Sequence, residues 1–147
     1  MFKHILIPTD GSAVANKAVK AGIQFAASVG AKVTIYLALE DAVPYRYSDG
    51  YAMPASVLAS VERQAKERGG KVLAAAKKQA DQGNVVCETL SGKAFTPYEG
   101  IAAAAKKKKC DVIFMASHGR RGLSALLMGS VTQKVLVHSK IPVLVYR

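Results

Sequence analysis

A chain of 147 residues, half of them hydrophobic, is the size of one ordinary domain and long enough to bury a core without disulfide or metal staples. Its 21 lysines and arginines outweigh 10 acidic residues to leave a formal net charge of +11, which implies attraction to polyanions but singles out no partner. No apolar run reaches the roughly eighteen residues of a membrane span, and the first residues enter a strand pattern directly. Neither a span nor a secretory signal is therefore expected, and the location should be cytoplasmic. Cys87 and Cys110 lack close metal-ligand spacing and are expected to be reduced and packed, which argues against metal or redox chemistry.

In chain order, residues 2–7 read as a first strand that Pro8 stops, followed by the turn Thr9-Asp10-Gly11-Ser12. Ala15, Ala18, Val19, Gly22, Ile23, Ala26 and Ala27 recur at helical spacing, which predicts an amphipathic helix over residues 13–29 ended by Gly30. Asp10 is a candidate N-cap for that helix. Residues 33–39 alternate too little to have a wet face, as in strands of parallel sheets covered on both sides, and the resulting β-α-β crossover should be right-handed. Periodicity fails over residues 40–54, a predicted loop whose Tyr45, Tyr47 and Tyr51 either stack on a base or cover a hydrophobic edge.

Helical spacing resumes with Val57, Leu58, Val61, Ala65, Val72, Leu73, Ala76 and Ala80. Gly69-Gly70 interrupts this stripe and predicts a bend or weak point, each glycine costing about 1 kcal/mol relative to alanine. Residues 85–90 read as a third strand and Ser91-Gly92-Lys93 as a turn. That turn is no Walker loop, because no glycine stands five residues before Gly92 and no serine or threonine follows Lys93. Pro97 suits the first turn of a helix over residues 97–108, with Ile101, Ala102 and Ala105 as its buried stripe. The run Lys106-Lys107-Lys108-Lys109 closes it, either as a solvated end favourable to the helix dipole or as a nucleic-acid contact. Residues 111–115 make a fourth strand and residues 142–146 a last one.

Between those two strands lies ASHGRRGLSALLMGS, residues 116–130, followed by Val131 and Val135 at helical spacing. A strand that ends in a glycine-rich loop opening a helix can hold phosphate. The glycines allow close backbone approach, and the helix N-terminus presents unpaired N–H groups carrying roughly half a positive charge. The alternative is a strand-to-helix loop that needs its glycines for geometry alone. Ser117 and His118 suggest a nucleophile and a base, but neighbours on an extended chain point to opposite sides and no carboxylate partner is evident, so no hydrolytic triad is expected. His118 is expected to line or order the loop, and Arg120 and Arg121 either face phosphate or stay solvated. Five apolar strands alternating with helices predict an α/β doubly wound, Rossmann-like domain, whose ligands bind where the winding reverses. With the first and fourth strands side by side, Pro8-Thr9-Asp10 and Ala116-Ser117-His118-Gly119 face one crevice.

Nine residues separate Gly119 from Gly129, and Ser130 follows at once. This resembles the nucleotide-binding signature of the ATP-binding-type universal stress proteins: glycine, two residues, glycine, nine residues, glycine, then serine or threonine. Ala116 stands where that family has its first glycine. ILIPTDGS, IFMASHGRRGLSALLMGSV and IPVLVYR also resemble their family counterparts, in the same order and at similar intervals. The resemblance implies a single domain over residues 1–147, with a five-stranded parallel sheet of order 3-2-1-4-5 and helices on both faces. It implies adenine near Ala38 and Pro8-Thr9-Asp10. Ribose and phosphates would lie along Gly119, Arg120, Arg121 and Gly122 and at Gly129, Ser130, Val131 and Thr132, with Ala116 and His118 at the mouth of the loop. ATP, or AMP or ADP, is the implied ligand, together with a divalent cation such as Mg.

The implied role is a nucleotide-dependent regulatory or interaction protein of the stress response, with at most slow ATP hydrolysis. The alternative, raised by the Ala116 methyl, is a nucleotide-free member acting as a dimeric interaction module. Neither the SGGxDS loop of pyrophosphatase-type ligases nor the HxGH motif of nucleotidyltransferases is present. In the implied strand order the last strand is an edge, and Val143-Leu144-Val145 is too apolar to stay open, which predicts a homodimer through residues 142–146. No sequence-specific nucleic acid or membrane partner is expected.

Overall fold

The computed structural model describes residues 1–39, 47–48, 51–118 and 128–147. The elements are β1 (His4–Pro8), α1 (Ala13–Val29), β2 (Lys32–Leu39), a short hairpin of β3 (Tyr47–Ser48) and β4 (Tyr51–Ala52), then α2 (Ala55–Gln82) and β5 (Cys87–Lys93). After these come α3 (Pro97–Lys107), β6 (Val112–Ala116), α4 (Ser130–His138) and β7 (Val143–Tyr146). Five strands form one all-parallel sheet in the order β5-β2-β1-β6-β7, which is the expected 3-2-1-4-5 order counted over the strands of that sheet.

Ile5, Leu6 and Ile7 are fully buried, so β1 needs apolar cover on both faces. Ile5, Ile7, Val33, Ile35, Val112 and Phe114 pack with Val19, Ile23 and Ala26 of α1 and with Leu73, Ala76 and Ala80 of α2. Leu6, Tyr36, Ile113 and Met115 on the other face pack with Ile101, Ala104 and Ala105 of α3 and with Val135 of α4. The period of two along each strand divides the core into these two layers.

Helix α1 ends as predicted, at Gly30 with φ 65° and ψ 33°, the left-handed conformation that glycine adopts without a Cβ penalty. Its N-cap is Ser12 rather than Asp10. Ser12 is extended (φ −68°, ψ 160°), and its Oγ accepts from the Ala15 N–H at 3.1 Å. Asp10, two residues earlier, instead accepts the Ser12 N–H on Oδ1 at 2.9 Å and so shapes the turn ahead of the helix.

Two further readings are corrected, the turn at residues 91–93 and the loop over residues 40–54. Ser91-Gly92-Lys93 is strand, not turn, because β2 continues beside it and pairs Leu37 with Ser91, Ala38 with Gly92 and Leu39 with Lys93. Helix α2 runs through Gly69-Gly70 in one piece. A Cβ on buried Gly69 would stand 3.2 Å from Leu37 Cδ2 and Leu39 Cδ2, so its absence lets α2 settle closely on β2. Within the predicted loop, Tyr47 pairs with Ala52 and Ser48 with Tyr51 in an antiparallel hairpin. The choice between base stacking and edge cover for Tyr45, Tyr47 and Tyr51 lies outside the described residues and side chains.

A polar network ties the N-terminal ends of three adjacent strands together. His4 is buried, and its Nε2 lies 2.8 Å from Thr34 Oγ1; that hydroxyl donates to Glu88 Oε1 at 2.9 Å. Lys108 Nζ donates to Glu88 Oε2 at 2.7 Å. The Asp111 carboxylate accepts the Lys3 and His4 N–H groups at 2.8 and 3.2 Å. Burial, with Lys32 nearby, pushes the His4 imidazole below its ordinary 6.5, while the Lys108 hydrogen bond holds Glu88 below its ordinary 4.5.

Two predictions follow from this packing. As pH falls from 6.5 towards the folded-state value of His4, the unfolded chain takes up the proton first, so stability present above 6.5 is lost through that window. The Glu88 contribution persists down to 4.5 and is lost only below it. Midpoints of urea unfolding between pH 7.5 and 5 should therefore fall, and His4→Gln should flatten the fall; an unchanged slope would assign it to other groups. The glycines supply the second prediction. A Cβ at Gly22 would stand 2.7 Å from Ile7 Cδ1 and 3.0 Å from Phe114 Cδ1, whereas one at Gly70 meets nothing within 4 Å. Gly22→Ala should destabilise by about 1–3 kcal/mol through overpacking. Gly70→Ala should stabilise by up to about 1 kcal/mol through helix propensity, both read from urea denaturation.

Candidate functional site

From β1 the chain crosses through α1 to β2 on one side, while from β6 it passes through α4 to β7 on the other. The winding therefore reverses between β1 and β6, which pair Ile5 with Val112 and Leu6 with Ile113. In open α/β sheets the C-terminal ends of two such strands border a ligand crevice.

On the β1 side, Pro8 is the last strand residue and is buried. Thr9 is buried too, donating its N–H to the Tyr36 carbonyl at 2.8 Å and accepting the Gly11 N–H on Oγ1 at 3.2 Å. Gly11 has φ 76°, and a Cβ there would stand 2.8 Å from Val72 Cγ2, so both conformation and contact call for glycine. Ala38 stands near the C-terminal end of β2, half-buried and paired with Gly92.

On the β6 side, Ala116 ends the strand, buried and paired with Tyr146 of β7. Its carbonyl accepts the hydroxyl of buried Thr132 at 3.0 Å, which fastens the first turn of α4 to the strand. Ser117 is a junction: its N–H donates to the Tyr146 carbonyl at 2.8 Å and its own carbonyl accepts the Gly129 N–H at 2.8 Å. Gly129 is the N-cap of α4, with φ −62° and ψ 146°. A Cβ on it would lie 3.0 Å from His118 Cα and 3.3 Å from the Ser117 carbonyl oxygen. This glycine lets the entrance of α4 touch the exit of β6. Gln133 donates its N–H to the Gly129 carbonyl at 3.0 Å, beginning the intrahelical ladder. The N–H groups at Ser130, Val131 and Thr132 thus belong to the first turn, where a helix has no acceptors of its own. Ser130 is exposed and Val131 half-buried against the α3/α4 layer.

The structure so brings Pro8, Thr9 and Asp10 to the end of one strand, and Ala116, His118, Gly129, Ser130, Val131 and Thr132 to the end of its neighbour, with Ala38 one strand further out. Gly119, Arg120, Arg121 and Gly122 lie outside the described residues. Ser117 and His118 do not point apart: Ser117 Oγ lies 2.9 Å from His118 Nδ1. The strand ends at Ala116, so the alternation that would separate the two side chains has already lapsed. Among the described residues no carboxylate is bonded to the His118 imidazole, and no group of His, Cys, Asp and Glu side chains is arranged to hold a metal ion.

Sequence reasoning missed Tyr36. Its buried phenol lies against β5 and α3, where a Cβ on Gly92 or Gly100 would come within 3.2 or 2.5 Å of its hydroxyl oxygen. The hydroxyl donates to the Gly92 carbonyl at 3.4 Å, and burial pushes its pKa up. The signal was available as two glycines inside otherwise regular elements.

A model of the Universal stress protein family matches residues 1–147. Universal stress protein MJ0531 of Methanocaldococcus jannaschii is 35% identical over 151 residues, covering 100% of this chain and 83% of its own. The solved structure of MJ0577 from the same organism superposes with a TM-score of 0.83 at 26% identity, covering 99% of this chain and 95% of that one. Two further solved structures share the fold. A universal stress protein in complex with cAMP has a TM-score of 0.72 at 23% identity, covering 99% of this chain and 97% of its own. The universal stress protein from Archaeoglobus fulgidus in complex with dAMP has a TM-score of 0.69 at 13% identity, covering 100% and 98%. Strand order and family match agree, and the chain belongs to the universal stress protein family.

Proposed function

We propose that the chain is a single cytoplasmic domain that binds an adenine nucleotide at the ends of β1 and β6 and acts as a nucleotide-dependent regulatory or interaction protein in the stress response. The observation that carries this reading is the Gly129–Ser117 hydrogen bond of 2.8 Å, which sets the N-terminus of α4 against the end of β6, one strand from the Thr9-Asp10 turn. Adenine sits near Ala38 and Pro8-Thr9-Asp10. Ribose and phosphates run along Gly119, Arg120, Arg121 and Gly122 to Ser130, Val131 and Thr132, whose first-turn N–H groups favour an anion. The ligand is ATP with a divalent cation such as Mg, or AMP or ADP. The cAMP and dAMP complexes of two proteins of the same fold support an adenine nucleotide as the ligand class. A specific observation also favours the nucleotide-free reading: Ala116 puts a methyl where the family motif has glycine.

Ser130→Asp separates the two. Aspartate is well tolerated at helix N-termini, yet it competes for the phosphate donors and repels the ligand. Titration calorimetry should show ATP binding weakened by at least about tenfold, equivalent to roughly 1.4 kcal/mol, with little change in thermal melting. Absence of any affinity in the wild type, towards ATP and AMP alike, would leave the nucleotide-free module as the function.

The same proposal includes a homodimer through the edge strand β7. Leu144 and Tyr146 are 37% and 38% exposed there, and an apolar edge needs a partner strand. Leu144→Lys should convert a dimer into monomer or aggregate in light scattering at micromolar protein; a wild-type monomer at that concentration would refute the pairing.

A further inference from the structure

An all-parallel sheet places the N-terminal ends of all its strands along one edge, opposite the crevice. Four lysines occupy that edge on four consecutive strands. Lys32 opens β2, Lys3 precedes β1, Lys109 lies between α3 and β6, and Lys140 lies between α4 and β7. All four are exposed. Neighbouring strands lie about 4.8 Å apart, so the row spans about 14 Å in the sheet direction. Lys106 and Lys107, in the last turn of α3, thicken it at one point. The acidic groups nearby are already engaged. Asp111 accepts two backbone N–H groups, Glu88 holds Lys108, and Asp81 holds Lys77.

The geometry points to this edge as a docking surface for the phosphate backbone of a nucleic-acid strand. A linear array of cations suits a linear polyanion. Successive phosphates of a single strand lie about twice as far apart as the roughly 3.4 Å axial rise of a duplex strand, so about three of them lie along the row. Phe2, the one aromatic residue next to the row in sequence, is half-buried and packs on Phe25 at 6.3 Å between ring centroids, so it provides no open platform for a base. Contact is therefore through phosphate, independent of sequence and strongly dependent on salt. The surface lies at the far end of the strands from the crevice, so nucleic acid and a small nucleotide occupy the protein together, and this inference stands whether or not the crevice is filled.

The probe is fluorescein-labelled dodecauridylate, which carries no adenine, followed by anisotropy from 25 to 200 mM KCl. Each phosphate-binding lysine lost should reduce the slope of log K against log salt by about 0.7. The variant Lys3→Gln/Lys109→Gln/Lys140→Gln should thus lose about 2 from that slope and bind more than tenfold more weakly at 50 mM KCl. Lys32 is kept because it neighbours His4. A control with the same net charge, Lys17→Gln/Lys20→Gln/Lys71→Gln on α1 and α2, should keep the wild-type slope, and thermal melts establish that both variants fold. Saturating ATP should leave the wild-type curve unchanged. Equal losses in both variants, displacement by ATP, or no binding at 25 mM KCl would each overturn the assignment. So would co-sedimentation with phosphatidylglycerol vesicles in the absence of oligonucleotide binding, which would make the edge a membrane-surface contact.

Discussion

A strand in which Ile5, Leu6 and Ile7 are all fully buried has to lie inside a sheet that is covered on both faces. That requirement keeps β1 inside the sheet, where it lies between β2 and β6 with crossovers leading away on either side. The reversal of winding, and with it the crevice, follows from where β1 sits. Local contacts then fix the two strand ends that border it: the Thr9 N–H on the Tyr36 carbonyl anchors one turn, and the Gly129 N–H on the Ser117 carbonyl anchors the other.

The same polarity separates the two ends of the molecule chemically. Each helix that joins two parallel strands runs back against them, so helix N-termini gather at the crevice and C-termini at the opposite edge. The positive ends of the helix dipoles therefore face the crevice. Lys106 and Lys107 at the end of α3 sit where a negative dipole end favours cations, which gives part of the basic edge a structural reason independent of any ligand. The His4–Thr34–Glu88–Lys108 network lies at this edge as well and ties β1, β2 and β5 to the residues after α3.

The central architecture was legible because its signals are strong and redundant. Continuous apolar runs marked β1 and β2, and the alanine-rich stripe and Gly30 delimited α1. The third sheet strand, Cys87–Lys93, starts later than the sequence suggests because Val85 and Val86 look more strand-like than Ser91-Gly92-Lys93. Pairing with the long β2 outweighed local turn propensity, and an edge strand tolerates polar residues. Asp10 and Ser12 are both good N-caps by type, and only the dihedral angles distinguish them. For the crevice, Gly129 was legible from motif spacing, but its contact with His118 was not. Nor was the seat of Thr132 under Ala116, because both depend on how β6 and α4 pack.

Ala116 is where the nucleotide and nucleotide-free readings part, and its setting bears on the choice. It ends β6, and it is absent from the described non-glycine residues with positive φ, which are Asn84 and Lys109. The backbone there makes no demand for glycine, so only the direction of the methyl matters. Alternation along β6 puts the Ala116 Cβ on the face of Val112 and Phe114, which is covered by α1. Helix α4 packs on the opposite face, with Ile113 and Met115. The methyl thus adds bulk on the side of the sheet away from the helix whose N-terminus faces the loop. A phosphate held by the first turn of α4 would not meet it; a group that crossed the end of β6 towards α1 would.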